Sequence, residues 1–144
     1  MPQKIVVGFD GSESANRALD FAVDRAKAQG GSVLLVHVLE WSPYSFLTPT
    51  ELEERHKRRS EELARAQSAL IDPVLSRLGD AGVPVEASVK YGHIAEVLAA
   101  SAKEAGANQI VIGRTGHSGM ASRIFGSVAG SLAQAAPVPV TIVP

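Results

Sequence analysis

The sequence predicts an α/β protein, a single parallel sheet with helices on both faces. Three observations lead there. Ile5–Phe9, Ser32–Leu39 and Asn108–Ile112 are short apolar runs rich in β-branched residues, and none alternates apolar with polar. Such runs suit strands buried on both faces, as parallel strands are. Segments with helical apolar spacing stand between the strand runs, and that alternation gives a parallel sheet with right-handed crossovers. The chain of 144 residues carries 45% hydrophobic and 20% charged residues, enough for one domain over 1–144 with its own core.

The elements follow in order. Ile5–Phe9 is the first strand, ended by Asp10-Gly11-Ser12. Ser12 or Ser14 is placed to cap a helix that runs to about Gln29. Ala15, Ala18, Leu19, Ala22, Val23 and Ala26 make its buried stripe, and Gly30-Gly31 stop it. Ser32–Leu39 is the second strand. Residues 40–50 hold Trp41, Pro43, Tyr44, Phe46 and Pro49, the one concentration of aromatics. That loop reads as a lid over the next helix, or as a wall of a ligand pocket or a partner surface.

Thr50 is expected to cap the second helix, with Glu53 completing a capping box. This long charged helix runs from Glu51 to about Leu78, and its basic run His56–Arg59 reads as a solvated face paired with glutamates. Pro73 removes one backbone donor, which predicts a kink or break near Ala69–Asp72. Gly79 and Gly82 end the helix. Val83–Val89 alternates and begins with a proline, as an edge strand does. A third helix covers Gly92–Ala105, with Ile94, Val97, Leu98 and Ala102 on one face. Asn108–Ile112 is the fourth strand, Ser127–Ala136 the fourth helix and Val140–Val143 the last strand.

Composition excludes several classes of function. The formal net charge of −1 gives no broad attraction to nucleic acid or anionic lipid. Without cysteine there are no disulfides, thiolate metal sites or cysteine nucleophiles. No apolar run approaches the ~18 residues of a membrane span, and Met1–Lys4 leads directly into a strand, so a cytoplasmic protein is expected.

Between the fourth strand and fourth helix lies Gly113-Arg114-Thr115-Gly116, then nine residues, then Gly126-Ser127-Val128. Glycines allow close approach to the main chain, and a helix start offers unpaired N–H groups with partial positive charge, so the context suits an anion. There is no G-x-G-x-x-G and no Walker A sequence. The spacing G-x2-G-x9-G-[ST] resembles the nucleotide loop of the universal stress protein family. The chain resembles that family from Lys4 to Val143 in the order of its elements.

The resemblance implies a five-stranded sheet of order 3-2-1-4-5, similar to the adenine nucleotide alpha hydrolase folds. Its order reverses between the first and fourth strands, and ligands bind at such a switch point. The resemblance further implies an ATP-binding regulatory protein of the stress response, with Mg2+ accompanying the phosphates. Asp10 matches a ribose-binding aspartate, and its carboxylate can accept from hydroxyls; the alternative is a helix cap or an Asx turn before Gly11. Val38 matches a residue that lends main-chain groups to the adenine edge. Gly113, Gly116, Gly126, Ser127 and Val128 match phosphate positions. Arg114, His117 and Arg123 are candidate cations beside the phosphates or solvated loop charges. His37 reads as a packing histidine and His93 as a surface one.

No residue reads as a general base, an acidic metal pair or a catalytic lysine near the loop, so no efficient catalysis and no protein-held metal are expected. Slow ATP hydrolysis or autophosphorylation at Ser118, Ser122 or Ser127 is compatible with the resemblance. An adenylating enzyme of the PP-loop class is a weaker alternative, because Asp10–Ser14 is a poor match to its phosphate loop. A dimeric scaffold without nucleotide is another. The resemblance implies a homodimer through Val138–Val143, with Thr141→Pro expected to weaken it.

Overall fold

The structure is a computed structural model and describes residues 3–40, 48–114 and 128–144. The strands are β1 (Lys4–Gly8), β2 (Ser32–Glu40), β3 (Val85–Gly92), β4 (Gln109–Gly113) and β5 (Val140–Val143). The helices are α1 (Glu13–Gln29), α2 (Pro49–Ala66), α3 (Asp72–Arg77), α4 (Ile94–Ala105) and α5 (Gly130–Ala135). All pairings are parallel, in the order β3-β2-β1-β4-β5. The expected fold and strand order are therefore those observed.

The central strand explains its own composition. Ile5 and Val7 face one side of the sheet and Val6 the other, and all three are fully buried. On the first side they meet Ala18, Leu19 and Ala22 of α1, with Ile71 and Leu78 from the helical stretch before β3. On the second, Val6, Val36, Ile110 and Ile112 meet Leu98 and Ala102 of α4 and Leu132 of α5. Two cores thus sandwich one sheet. The alanine-rich face of α1 lets that helix lie close to the strands.

Local chemistry sets the helix ends. Ser12, not Ser14, caps α1, its Oγ accepting from Ala15 N–H at 3.1 Å. Gly30 closes α1 at φ 68°, a left-handed position that costs glycine nothing. The cap of α2 is Thr48 rather than Thr50. Thr48 accepts from Glu51 N–H, the Glu51 carboxylate accepts from Thr48 N–H, and Pro49 takes the first helical turn. The box is therefore Thr48/Glu51 and not the expected Thr50/Glu53, and Pro49 favours it. With Thr48 as cap, Pro49 takes the first helical position, which suits a residue with a fixed φ and no N–H to lose; with Thr50 as cap it would stand outside the helix.

The expected break before Pro73 is a π-helical turn over Gln67–Ile71. Asp72 N–H donates to Gln67 O, five residues back. Widening the turn gives room to a proline ring that would otherwise strike a carbonyl four residues earlier. β3 starts two residues later than expected, at Val85, because Pro84 contributes only its carbonyl, which accepts from Val33 N–H at 3.0 Å. β3 is an edge strand, and α2 is pinned beside it. The Tyr91 hydroxyl donates to Glu62, and the Arg59 guanidinium lies 4.5 Å from the Tyr91 ring centre.

Candidate functional site

Where the strand order reverses, β1 and β4 turn apart to opposite faces of the sheet. A cleft opens there, at the carboxyl ends of the strands. Its lining is Gly8, Phe9, Asp10 and Ala15 from the end of β1 and the start of α1, Val36 and Val38 from β2, Ile94 and Leu98 from α4, Ile112 and Gly113 from β4, and Val128. The cavity volume is about 70 Å3, below the ~300–1,000 Å3 usual for a complete small-molecule site, so these residues form an open cleft rather than an enclosed pocket. Its walls are mostly apolar, with one carboxylate, which suits a flat heteroaromatic ring attached to a hydroxylated group.

Asp10 serves two ends at once. Its Oδ1 accepts from Ser12 N–H at 2.9 Å, forming the turn that leads into the α1 cap. The residue is half-buried and lines the cleft. The Asx-turn reading and the ligand-facing reading are compatible, since a carboxylate has acceptor capacity beyond one bond.

The end of the β1–β2 ladder is unusual. Val36 O accepts from Phe9 N–H at 2.9 Å. Main-chain groups alternate sides along a strand, so Val38 also faces the β1 side, two residues further on. The next rung of a parallel ladder would join Val38 N–H to Phe9 O. His37 Nδ1 instead approaches Phe9 O at 2.7 Å. A carbonyl only accepts, so Nδ1 carries the proton. Val38 is then the first β2 residue whose main chain faces the cleft rather than a strand.

Two glycines shape the walls by close approach. A Cβ on Gly8 would stand 3.0 Å from Leu98 Cδ1 and 3.2 Å from Ile112 Cγ2, at the floor of the cleft. A Cβ on Gly113 would stand 2.5 Å from Ser14 Oγ and 2.7 Å from the Ser14 carbonyl carbon. Gly113 therefore lets β4 pass against the start of α1, a packing role beyond its loop position. Arg114 is exposed, and its N–H donates to Val143 O at 2.8 Å.

Of the residues singled out in the sequence, Asp10, Val38, Gly113 and Val128 meet at this cleft. Gly116, Gly126 and Ser127 lie outside the described residues, as do His117, Arg123, the loop serines 118 and 122, and the aromatics at 41–46. The exposed position of His93 is as expected. Sequence reasoning missed Gly8 and the apolar wall. Ile94 and Leu98 were visible as a helical stripe, but nothing in that periodicity distinguishes core from cleft.

The sequence matches the universal stress protein family over residues 1–144. The chain belongs to that family. A universal stress protein of Thermus aquaticus is 34% identical over 146 residues, covering 99% of both chains. Among solved structures, a universal stress protein of Lactobacillus plantarum superposes with a TM-score of 0.81 at 22% identity, covering 99% of this chain and 98% of its own. That likeness is one of fold. A universal stress protein of Archaeoglobus fulgidus in complex with dAMP gives a TM-score of 0.63 at 26% identity, with 100% of both chains covered. Among the described residues of this universal stress protein no helix is long and apolar enough to cross a membrane.

Proposed function

We propose that this chain is a regulatory protein of the stress response that binds an adenine nucleotide, ATP in its working form, in the cleft between β1 and β4. The observation that carries the proposal is the convergence of the Val38 main chain, the Asp10 carboxylate and an apolar slot at the switch point of the sheet. Val38 N–H and C=O would read the adenine edge. Ile94, Leu98 and Ile112 would hold its faces, and Asp10 would accept from ribose hydroxyls. The phosphates would run toward the loop after β4, where Gly113, Gly116, Gly126, Ser127 and Val128 stand in the family's phosphate positions and Arg114 adds charge. The A. fulgidus relative in complex with dAMP supports an adenine nucleotide as ligand.

A helix start supplies only about half a positive charge, so ATP with its roughly four negative charges would enter with Mg2+ held on the phosphates. The proposal assigns no catalytic residue, and any hydrolysis or self-phosphorylation would be slow. Denaturing the purified protein and identifying released nucleotide by mass spectrometry tests it. Adenine nucleotide near one per chain is expected, and guanine nucleotide in its place would overturn the assignment.

We further propose a homodimer through Val138–Val143. β5 is an edge strand, and apolar Leu132, Ala133, Ala136, Val138, Val140 and Ile142 border one groove beside it. The register corrects the choice of probe. Pro139 O and Val143 O accept from β4, so Thr141 faces β4 as well, and Val140 and Ile142 face outward. Thr141→Pro would damage the β4–β5 ladder itself. Val140→Pro removes an outward donor and is expected to shift the dimer toward monomer by light scattering, at least tenfold in dissociation constant, about the loss of one hydrogen bond per subunit. An unchanged dimer would rule out pairing along this edge.

A further inference from the structure

We infer that His37 is a positioning residue for base recognition: by occupying the Phe9 carbonyl it keeps the Val38 N–H out of the β1–β2 ladder and open to the ligand. The inference rests on the nucleotide reading for its use, and on geometry alone for its structural half.

The register shows which pairing stands next to the ring. Gly8 pairs with Val36, and Val36 O accepts from Phe9 N–H at 2.9 Å. One step on, Phe9 O is the acceptor that a continued parallel ladder would offer to Val38 N–H. His37 Nδ1 lies 2.7 Å from that oxygen. The ring reaches it from the residue immediately before Val38, so one side chain of β2 competes for the oxygen that its neighbour's main chain would otherwise approach. Phe9 is thereby held at both ends of its own unit, N–H to Val36 and C=O to His37. Phe9 is 3% exposed and directly precedes Asp10. The same bond therefore fixes where the strand leaves the sheet and where the carboxylate stands.

His37 itself does not line the cleft, whereas Val36, Val38, Phe9 and Asp10 do. It acts through them. Its protonation is not the device, because Nδ1 carries a proton in both the neutral tautomer required here and the imidazolium. The device is a donor at fixed reach. An asparagine at this position carries its amide nitrogen about where Nδ1 stands. A leucine fills similar space without a donor, and a glutamine carries its donor one atom too far.

The test compares wild type with His37→Leu, His37→Asn and His37→Gln by two readouts. The first is amide hydrogen exchange at Val38 in the nucleotide-free protein. In His37→Leu the Val38 N–H is expected to join Phe9 O and exchange about tenfold or more slowly, as a paired amide does. His37→Asn should exchange like wild type. The second is calorimetric affinity for Mg-ATP against Mg-GTP. His37→Leu should bind ATP about tenfold more weakly, with most of its adenine preference gone, and His37→Asn should recover both. A merely structural histidine would lower the melting temperature and leave the base preference of the folded protein unchanged. Should the leucine variant not fold, the asparagine and glutamine variants carry the same comparison.

Equal Val38 exchange in the donor-bearing and donor-less variants would overturn the inference whether or not nucleotide binds. Altered exchange with unchanged base preference would overturn the recognition role alone. Absence of any adenine nucleotide binding by wild type would overturn the nucleotide reading, and the recognition role with it.

Discussion

Gly8→Val is expected to abolish adenine nucleotide binding. A Cβ at this position already stands 3.0 Å from Leu98 Cδ1 and 3.2 Å from Ile112 Cγ2. Two further methyl groups would crowd the cleft that these residues wall. Gly8→Ala should be intermediate, about tenfold weaker in affinity, because one methyl asks its neighbours to yield by only a few tenths of an ångström. Both variants are expected to fold, as Gly8 is not held at positive φ. Overpacking should cost the valine variant about 1–3 kcal/mol. Calorimetry with Mg-ATP on protein shown to be folded by circular dichroism checks this. Wild-type affinity in Gly8→Val would move the ligand out of this cleft.

Gly113→Ala is expected to act on the fold before it acts on any ligand. The added Cβ would lie 2.5 Å from Ser14 Oγ and 2.7 Å from the Ser14 carbonyl carbon, and Ser14 is 2% exposed. A side-chain tip could move aside, but the helix backbone behind it cannot without shifting α1 off β1 and β4. The cost should be about 2–3 kcal/mol, or on the order of 5–10 °C in melting temperature for a domain of this size. Thermal unfolding of the nucleotide-free protein measures it directly. A melting temperature equal to wild type would mean that the contact relaxes freely. Ligand-linked stabilisation cannot mimic the effect when nucleotide is absent.

These two glycines mark the limits of reading the chain by pattern. The sheet was legible because each signal is local and repeated. Ile5-Val6-Val7 without alternation means burial on both faces, and the alanine stripe of α1 means a helix laid flat on strands. Pro73 announced a disruption, and the backbone answered with a π-turn at the expected place. Thr50 with Glu53 was the expected capping box and Thr48 with Glu51 is the observed one, because Pro49 prefers the first helical position. Register was beyond pattern altogether. Thr141 and Ile142 read alike as strand residues, yet only the pairing with β4 tells which of them points outward.

The candidate site divides the same way. Asp10 and Val38 end strands next to chain reversals, and a glycine motif follows the fourth strand, so each stood out along the sequence. Their meeting is a product of topology, since β1, β2 and β4 become neighbours only when the sheet forms. Gly8 sits inside a strand run with no motif around it, and its value lies in what Leu98 and Ile112 do from other elements. His37 reads as a packing histidine until its partner is seen. That partner is the carbonyl of Phe9, 28 residues earlier.

Titration calorimetry on nucleotide-free protein decides whether this cleft takes an adenine nucleotide. With Mg-ATP, the expectation is one site per chain, with a clear preference over Mg-GTP and loss of the heat in Gly8→Val. No binding of ATP, ADP, AMP or cyclic AMP by folded wild-type protein would contradict it, and would leave the glycines of the cleft to strand and helix packing alone.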